Sequence, residues 1–410
     1  MNDLRFYNQL FSAGVAVILP TPEQTLILRA CLQPESPARA AWREWQKRRE
    51  EFGQSAISDI EGVKILAPLL FTSARSHGFE IDKETRTFLR AAYVREEMRN
   101  RIFRRICSAV LLAFEKAGLP ALVLKGTALA ETVYDSPVLR HCHDIDILLA
   151  VEEMNRATLL LQSLDFRLTY RQIAAQRGDV RMDHESDLPL ELHSSLFQIP
   201  YYDLPVSEIW ARSWSCEIVG IGARILSPPD NLLHVCGHAF YSRGRSLLRW
   251  VSDAWFIIER HPDLDWDLLL RAASQSRMTV PLYVTLAYLA ESLQARVPTT
   301  LLERLGDGVR AADALEREVA MRGALAAVPG GSIGFVHRIT DWRERLCFVC
   351  RVLFPSPAYL CTVEQVGRSW LLPLHYIFRP VRSVIRTLWF LSKHRARRVR
   401  EILMSVRTAP

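Results

Sequence analysis

Two short apolar runs constrain this chain more than anything else in it: Leu119–Leu124, opened by Pro120, and Asp144–Leu149. The first has the length and composition of a buried strand, and Gly126 ends it. Thr127–Tyr134, rich in alanine and leucine, reads as a short helix, followed by the turn residues Asp135, Ser136 and Pro137. In the second run side chains alternate, so Asp144 and Asp146 share one face while Ile145 and Ile147 take the other. Two carboxylates so placed suit a pair of divalent cations about 3.5–4 Å apart, the separation used in two-metal phosphoryl chemistry. Like charges side by side are costly without a counter-ion. A solvated strand end is the plainer alternative for a lone pair.

At 410 residues the chain exceeds one ordinary core, and 49% hydrophobic with 24% charged residues excludes a disordered polypeptide. Residues 1–90 are expected to form a helical cap, 91–222 an αβ core, 223–330 a helical domain that completes the cleft, and 331–410 a basic aromatic helical tail. The eight cysteines are scattered, which suits a reducing compartment, and the expected location is cytoplasmic. Ala13–Leu19 is too short for a signal peptide, and no apolar run approaches the ~18 residues of a membrane span.

Helical stripes organise the flanks. Trp42 and Trp45 share a face of Ala38–Phe52, and Ile60, Val63, Leu66, Leu70 and Ala74 line Ile57–Ser76. Val94, Met98, Ile102, Ile106, Val110 and Phe114 recur every four residues along Asp82–Lys116, with Gly118 at the stop position. Val151–Leu164 reads as a helix, Phe166–Tyr170 as a strand, and Asp187–Leu192 alternates with Glu191 and His193 on its polar face. Ser227-Pro-Pro-Asp230 opens a helix carrying His234 and His238. Leu247–Arg260, a helix begun by Asp265 or Trp266, and Pro281–Ala295 follow; Val328–Ser332 reads as a loop.

Taken in order, Lys125-Gly126, a short helix, Tyr134, Arg140, Asp144-x-Asp146, Glu191-Leu-His193, Ser227 to His234 with His238, and Arg249-Trp-Val-Ser-Asp253 resemble the uncharacterised nucleotidyltransferase family of the DNA polymerase beta-like superfamily. The resemblance covers roughly residues 90–270. It implies an α+β fold, a small mixed-sheet nucleotidyltransferase core flanked by N-terminal and C-terminal helical regions. It also implies transfer of a nucleoside monophosphate from a nucleoside triphosphate (ATP among those expected) to an acceptor, with release of pyrophosphate. Asp144, Asp146 and Glu191 then stand as the catalytic carboxylates and as ligands of two Mg²⁺ ions, with Mn²⁺ as a substitute. Lys125, Gly126, Thr127, Arg140, His193, His238 and Asp253 stand as nucleotide-binding residues. The wider superfamily usually has Gly-Ser where this chain has Lys125-Gly126-Thr127, so Thr127 is expected to replace the serine beside phosphates at a helix N-terminus.

Plainer roles stay open for several of these residues. Lys125 suits an ion pair, and Arg140 suits pairing with Asp144 or Asp146. His238 suits a hydrogen-bonded core site, and Asp253 a cap or an ion pair. His234-x-x-x-His238 lacks the glutamate of a zinc protease, and Cys347-x-x-Cys350 has no second pair. His141-Cys142-His143 beside Asp144 supports an alternative, a metal-dependent hydrolase, although neighbours on a strand face opposite ways. A non-catalytic nucleotide-binding or regulatory protein is the other.

The acceptor is expected to be a small molecule, peptide or protein, and no specific nucleic acid, because the basic charge is terminal and no RNA-binding signature occurs. From Arg379 to Arg407 there are nine Lys or Arg and one acid. With the aromatics of 370–400 they predict a peripheral contact with anionic membrane, against the default of a solvated face.

Overall fold

The computed structural model describes residues 18–52, 56–174, 177–197, 202, 204–241, 248–326, 336, 342–362, 366, 369–382 and 385. Residues 18–316 form one compact unit, and residues 1–17 with 317–410 a second. The expected loop at 328–332 and the basic run beyond residue 385 lie outside the described residues.

The larger unit is built on a seven-stranded mixed sheet in the order β3-β4-β5-β2-β1-β7-β6. The strands are β1 (Leu122–Leu124), β2 (Ile145–Leu148), β3 (Arg167–Ala174), β4 (Arg177–Asp183), β5 (Pro189–His193), β6 (Trp214–Ile218) and β7 (Ile221–Ile225). β1 runs parallel to β7 and antiparallel to β2, while β2 runs parallel to β5. The fold is therefore α+β: a mixed sheet with helices before and after it.

β2 lies between β1 and β5, and all four of its residues are buried. Ile145 and Ile147 join Val123, Leu190, Leu192, Val180 and Met182 in the main core, where Ile106, Val110 and Phe114 of the long helix Lys83–Lys116 also pack. Asp82 caps that helix, accepting from the Thr85 N–H at 2.7 Å. Gly118 ends it at φ +64°, and the Leu119 N–H turns back onto the Phe114 carbonyl at 2.9 Å. The helix thus delivers the chain directly into β1.

The four-residue stripe of this helix does not lie in one environment. Its C-terminal half is buried, but Val94, Met98 and Ile102 are 44%, 64% and 48% exposed, because the sheet lies only under the last turns. β3 is longer than Phe166–Tyr170, and three strands, β4, β6 and β7, have no counterpart in the sequence reading. The β6–β7 turn is Val219-Gly220, both at positive φ, as a two-residue hairpin turn requires. A valine in that position hides the usual Asn-Gly signal.

In the smaller unit Phe348 of the Trp342–Leu353 helix buries against Met321, with Cys347 beside it. Arg322 stacks over Tyr359 at 4.1 Å. Cys350 is exposed, and Cys347 and Cys350 are both free thiols. Residues 372–382 are helical and carry exposed Leu374, Ile377, Phe378 and Val381. Among the described residues no helix is long and apolar enough to cross a membrane.

Candidate active site

Strand register brings the chemistry together. Asp146 on β2 is level with Leu124 on β1 and with Glu191 on β5. Lys125 therefore follows directly beyond β1 at the level of Asp146, and Glu191 flanks it from the other side. The chain turns from β1 into the Lys125–Thr132 helix with Lys125 at φ +49°, a left-handed conformation that costs a non-glycine residue energy. Gly126 comes next, and an added Cβ there would lie 2.1 Å from Arg140 Nη1. Only glycine leaves that guanidinium its path.

Asp146 is 1% exposed, and its two oxygens have opposite environments. Lys125 Nζ donates to Oδ1 at 2.7 Å, and His193 Nε2 meets the same atom at 2.7 Å. Oδ2 is buried with no hydrogen-bond partner. Burial works against ionisation of Asp146, but Lys125 and His193 outweigh it and hold the carboxyl far below the usual carboxylate range. Asp144 goes the other way: burial, then the Asp146 charge, lift it to about 7, with Lys125 pulling against them.

His193 is clamped from both sides, since its Nδ1 meets Asp179 Oδ1 at 3.1 Å. Burial and Lys125 oppose its protonation, but the bonds to Asp146 and Asp179 prevail and raise it to about 9. At neutral pH it is an imidazolium donating to two carboxylates. Its Nε2 also lies 3.8 Å from Glu191 Oε2, and Arg181 Nη1 donates to Glu191 at 3.1 Å. His234 and His238, one turn apart on the Pro228–Tyr241 helix, stay neutral. Burial, then Lys125, press His238 down to about 3.

Donor atoms of Asp146, Glu191 and His193 lie within 4.8 Å of one another, a group able to hold a metal ion. The bare, buried Asp146 Oδ2 is the kind of orphaned acceptor that a cation satisfies. Asp144 adds a second carboxylate at the same strand end. The oxygen-rich set fits a hard divalent ion, and His193 adds a nitrogen to it only on giving up the Nε2 proton it donates to Asp146. Thr127 is 1% exposed, and its hydroxyl is likewise buried with no partner.

Residues 61–294, more than half of the chain, match the model of a family described as uncharacterised nucleotidyltransferase. The chain belongs to that family. No curated protein matches it in sequence. One solved structure similar to it is an antigenic nucleotidyltransferase-like protein from Paracoccidioides brasiliensis, at 17% identity and a TM-score of 0.31, covering 48% of this chain and 95% of that one.

Within this member of the family, the expected site residues fall into two groups. Asp144, Asp146, Glu191, Lys125, Gly126, Thr127 and His193 gather at one strand edge, with His238 close by. Arg140 and Asp253 instead face each other. Arg140 Nη2 donates to Asp253 Oδ2 at 2.8 Å and Nε to Oδ1 at 3.2 Å, while the Tyr134 hydroxyl donates to Oδ1 at 2.7 Å. Arg140 and Asp253 are 6% and 3% exposed. Arg140 thus takes neither Asp144 nor Asp146, the partners its position suggested, because a buried fork finds its bidentate carboxylate on the Arg249–Arg260 helix.

The hydrolase triplet does not converge. His141 meets Glu96 at 2.7 Å, Cys142 is buried beside Arg140, and His143 Nε2 meets Asp144 Oδ2 at 3.1 Å. Sequence reasoning missed Asp179 and Arg181, because β4 was not expected. Buried Val180 and Met182 alternate with those two residues, and that alternation is the signal that was available.

Proposed function

We propose that this protein is a Mg²⁺-dependent nucleotidyltransferase that moves a nucleoside monophosphate from a nucleoside triphosphate to a small-molecule, peptide or protein acceptor. The observation that carries the reading is the buried, unpartnered Asp146 Oδ2 beside Asp144 and Glu191. Asp144, Asp146 and Glu191 would hold the metal. Ions bound there would lower the pKa of an acceptor hydroxyl and neutralise the triphosphate and the departing pyrophosphate.

The residues of the chain supply the rest. Lys125 and His193 fix Oδ1 of Asp146, so the carboxylate is held in one orientation without searching for it. The Thr127 hydroxyl and the first-turn N–H groups of its helix serve phosphate oxygens. The acceptor oxygen bonds to the α-phosphorus, the bond from that phosphorus to the β-phosphate oxygen breaks, and the acceptor's proton passes to the Glu191 carboxylate.

Calorimetric titration of the four non-hydrolysable ribonucleoside triphosphate analogues, with and without Mg²⁺, tests this. One analogue is expected to bind only with Mg²⁺, and the Asp144→Asn/Asp146→Asn variant is expected not to bind it. Binding that ignores Mg²⁺, or survives in the variant, would overturn the assignment.

A second observation favours a membrane-proximal acceptor. Trp370, Leu374, Ile377, Phe378, Val381 and Ile385 are all exposed at helical spacing, and the arginine-rich run follows. Co-sedimentation with phosphatidylserine vesicles is expected for the whole chain and reduced on truncation after Phe378. Equal sedimentation of both would leave a solvated helix.

A further inference from the structure

The cations around the strand edge are almost all committed to carboxylates. Lys125 is on Asp146, and His193 lies between Asp146 and Asp179. Arg181 is on Glu191 and Asp183, and Arg140 is on Asp253. Arg249 is the exception, because among the described residues it makes no ion pair. It begins the helix that carries Asp253 one turn later, but both oxygens of Asp253 are taken by Arg140 and Tyr134.

Its surroundings aim it at the site. Arg249 Nη1 donates to His143 Nδ1 at 3.2 Å. With Nδ1 accepting, His143 carries its proton on Nε2 and donates it to Asp144 Oδ2 at 3.1 Å. Arg249 Nε is buried with no partner, whereas the histidine met by its tip is 49% exposed. The stem is enclosed and the head is open. A guanidinium held in this way loses hydration with no direct ion pair in return. Burial and the Arg140 charge outweigh the more distant Asp253 and Asp144, which is costly unless an anion arrives.

We propose that Arg249, which the sequence reading did not place among the nucleotide-binding residues, is the residue that grips the β- and γ-phosphates of the donor nucleotide. This rests on the strand edge being the nucleotidyl-transfer site. The chemistry suits it: a planar fork of donors matches adjacent phosphate oxygens, and a triphosphate is the anion that the other cations have no free charge to balance. His143 ties the phosphate-binding head to Asp144, so the donor's tail and the carboxylates share one hydrogen-bonded chain.

The test uses inorganic tripolyphosphate with Mg²⁺, so that no base needs to be known, titrated calorimetrically into the full chain and its Arg249→Met and Arg249→Lys variants. Arg249→Met is expected to weaken binding roughly 10- to 100-fold, the scale of hydrogen bonds to a charged group. Arg249→Lys is expected to retain part of it. The melting temperature of Arg249→Met is expected to equal or exceed that of the parent, because an unpaired buried charge has been removed.

Arg249→Met binding as tightly as a parent that binds would overturn the assignment and leave the transfer reading in place. A parent that does not bind tripolyphosphate overturns both. Weaker binding accompanied by a melting temperature several degrees lower makes Arg249 structural, and overturns the assignment too.

Discussion

Asp146→Asn is expected to reduce transfer of α-³²P label from a triphosphate mixture into the acceptors of a cell extract by roughly 10³-fold or more, the scale on which loss of a preorganised charge acts. The fold should survive it. An asparagine oxygen can still accept from Lys125 and His193, so the contacts of Oδ1 persist while the charge on bare Oδ2 disappears. The freed cations keep Asp144, Glu191 and Asp179 nearby. Thermal unfolding should therefore shift by only a few degrees. Loss of label together with loss of the folded protein, or label transfer at the parent's rate, would remove Asp146 from the reaction.

Asp253→Ala is expected to be the most destabilising single change at the Arg140 cluster, at ~3–5 kcal/mol, because it leaves a buried guanidinium without its acid. The Tyr134 hydroxyl loses its acceptor in the same step. Urea denaturation measures the effect, with the Arg140→Met/Asp253→Leu double variant as its control. Replacing both partners by apolar groups is expected to cost far less than breaking the pair. If Asp253→Ala unfolds at the parent's urea concentration, the pair does not hold these segments.

The carboxylate edge was legible because it depends on local periodicity. Asp144 and Asp146 announce themselves by alternation, and Glu191 sits on a Leu-Pro-Leu-Glu-Leu-His run whose leucines point into the core. What escaped depends on contacts between distant residues. Arg140 and Asp253 are 113 positions apart, and nothing in either neighbourhood states that they meet. Arg249 was visible as part of a motif, but its lack of an acid follows only from what Arg140 does. β4 was hidden by Arg-Gly-Asp, a composition that strands seldom use, around its two apolar residues. Exposure of Val94, Met98 and Ile102 was equally hidden, since periodicity shows that a face is apolar, not how far its cover extends.

The Arg140–Asp253 pair and the Arg249–His143 contact both reach from the strand edge to one helix more than 100 residues downstream. The edge is consequently not a portable module. A fragment cut after β7 would carry every carboxylate, yet it would have a naked guanidinium in its interior and a histidine with no donor behind it. Protease nicking between Tyr241 and Arg249 should leave the two pieces associated rather than releasing a working half, and recombination with relatives should succeed only when both segments are exchanged together.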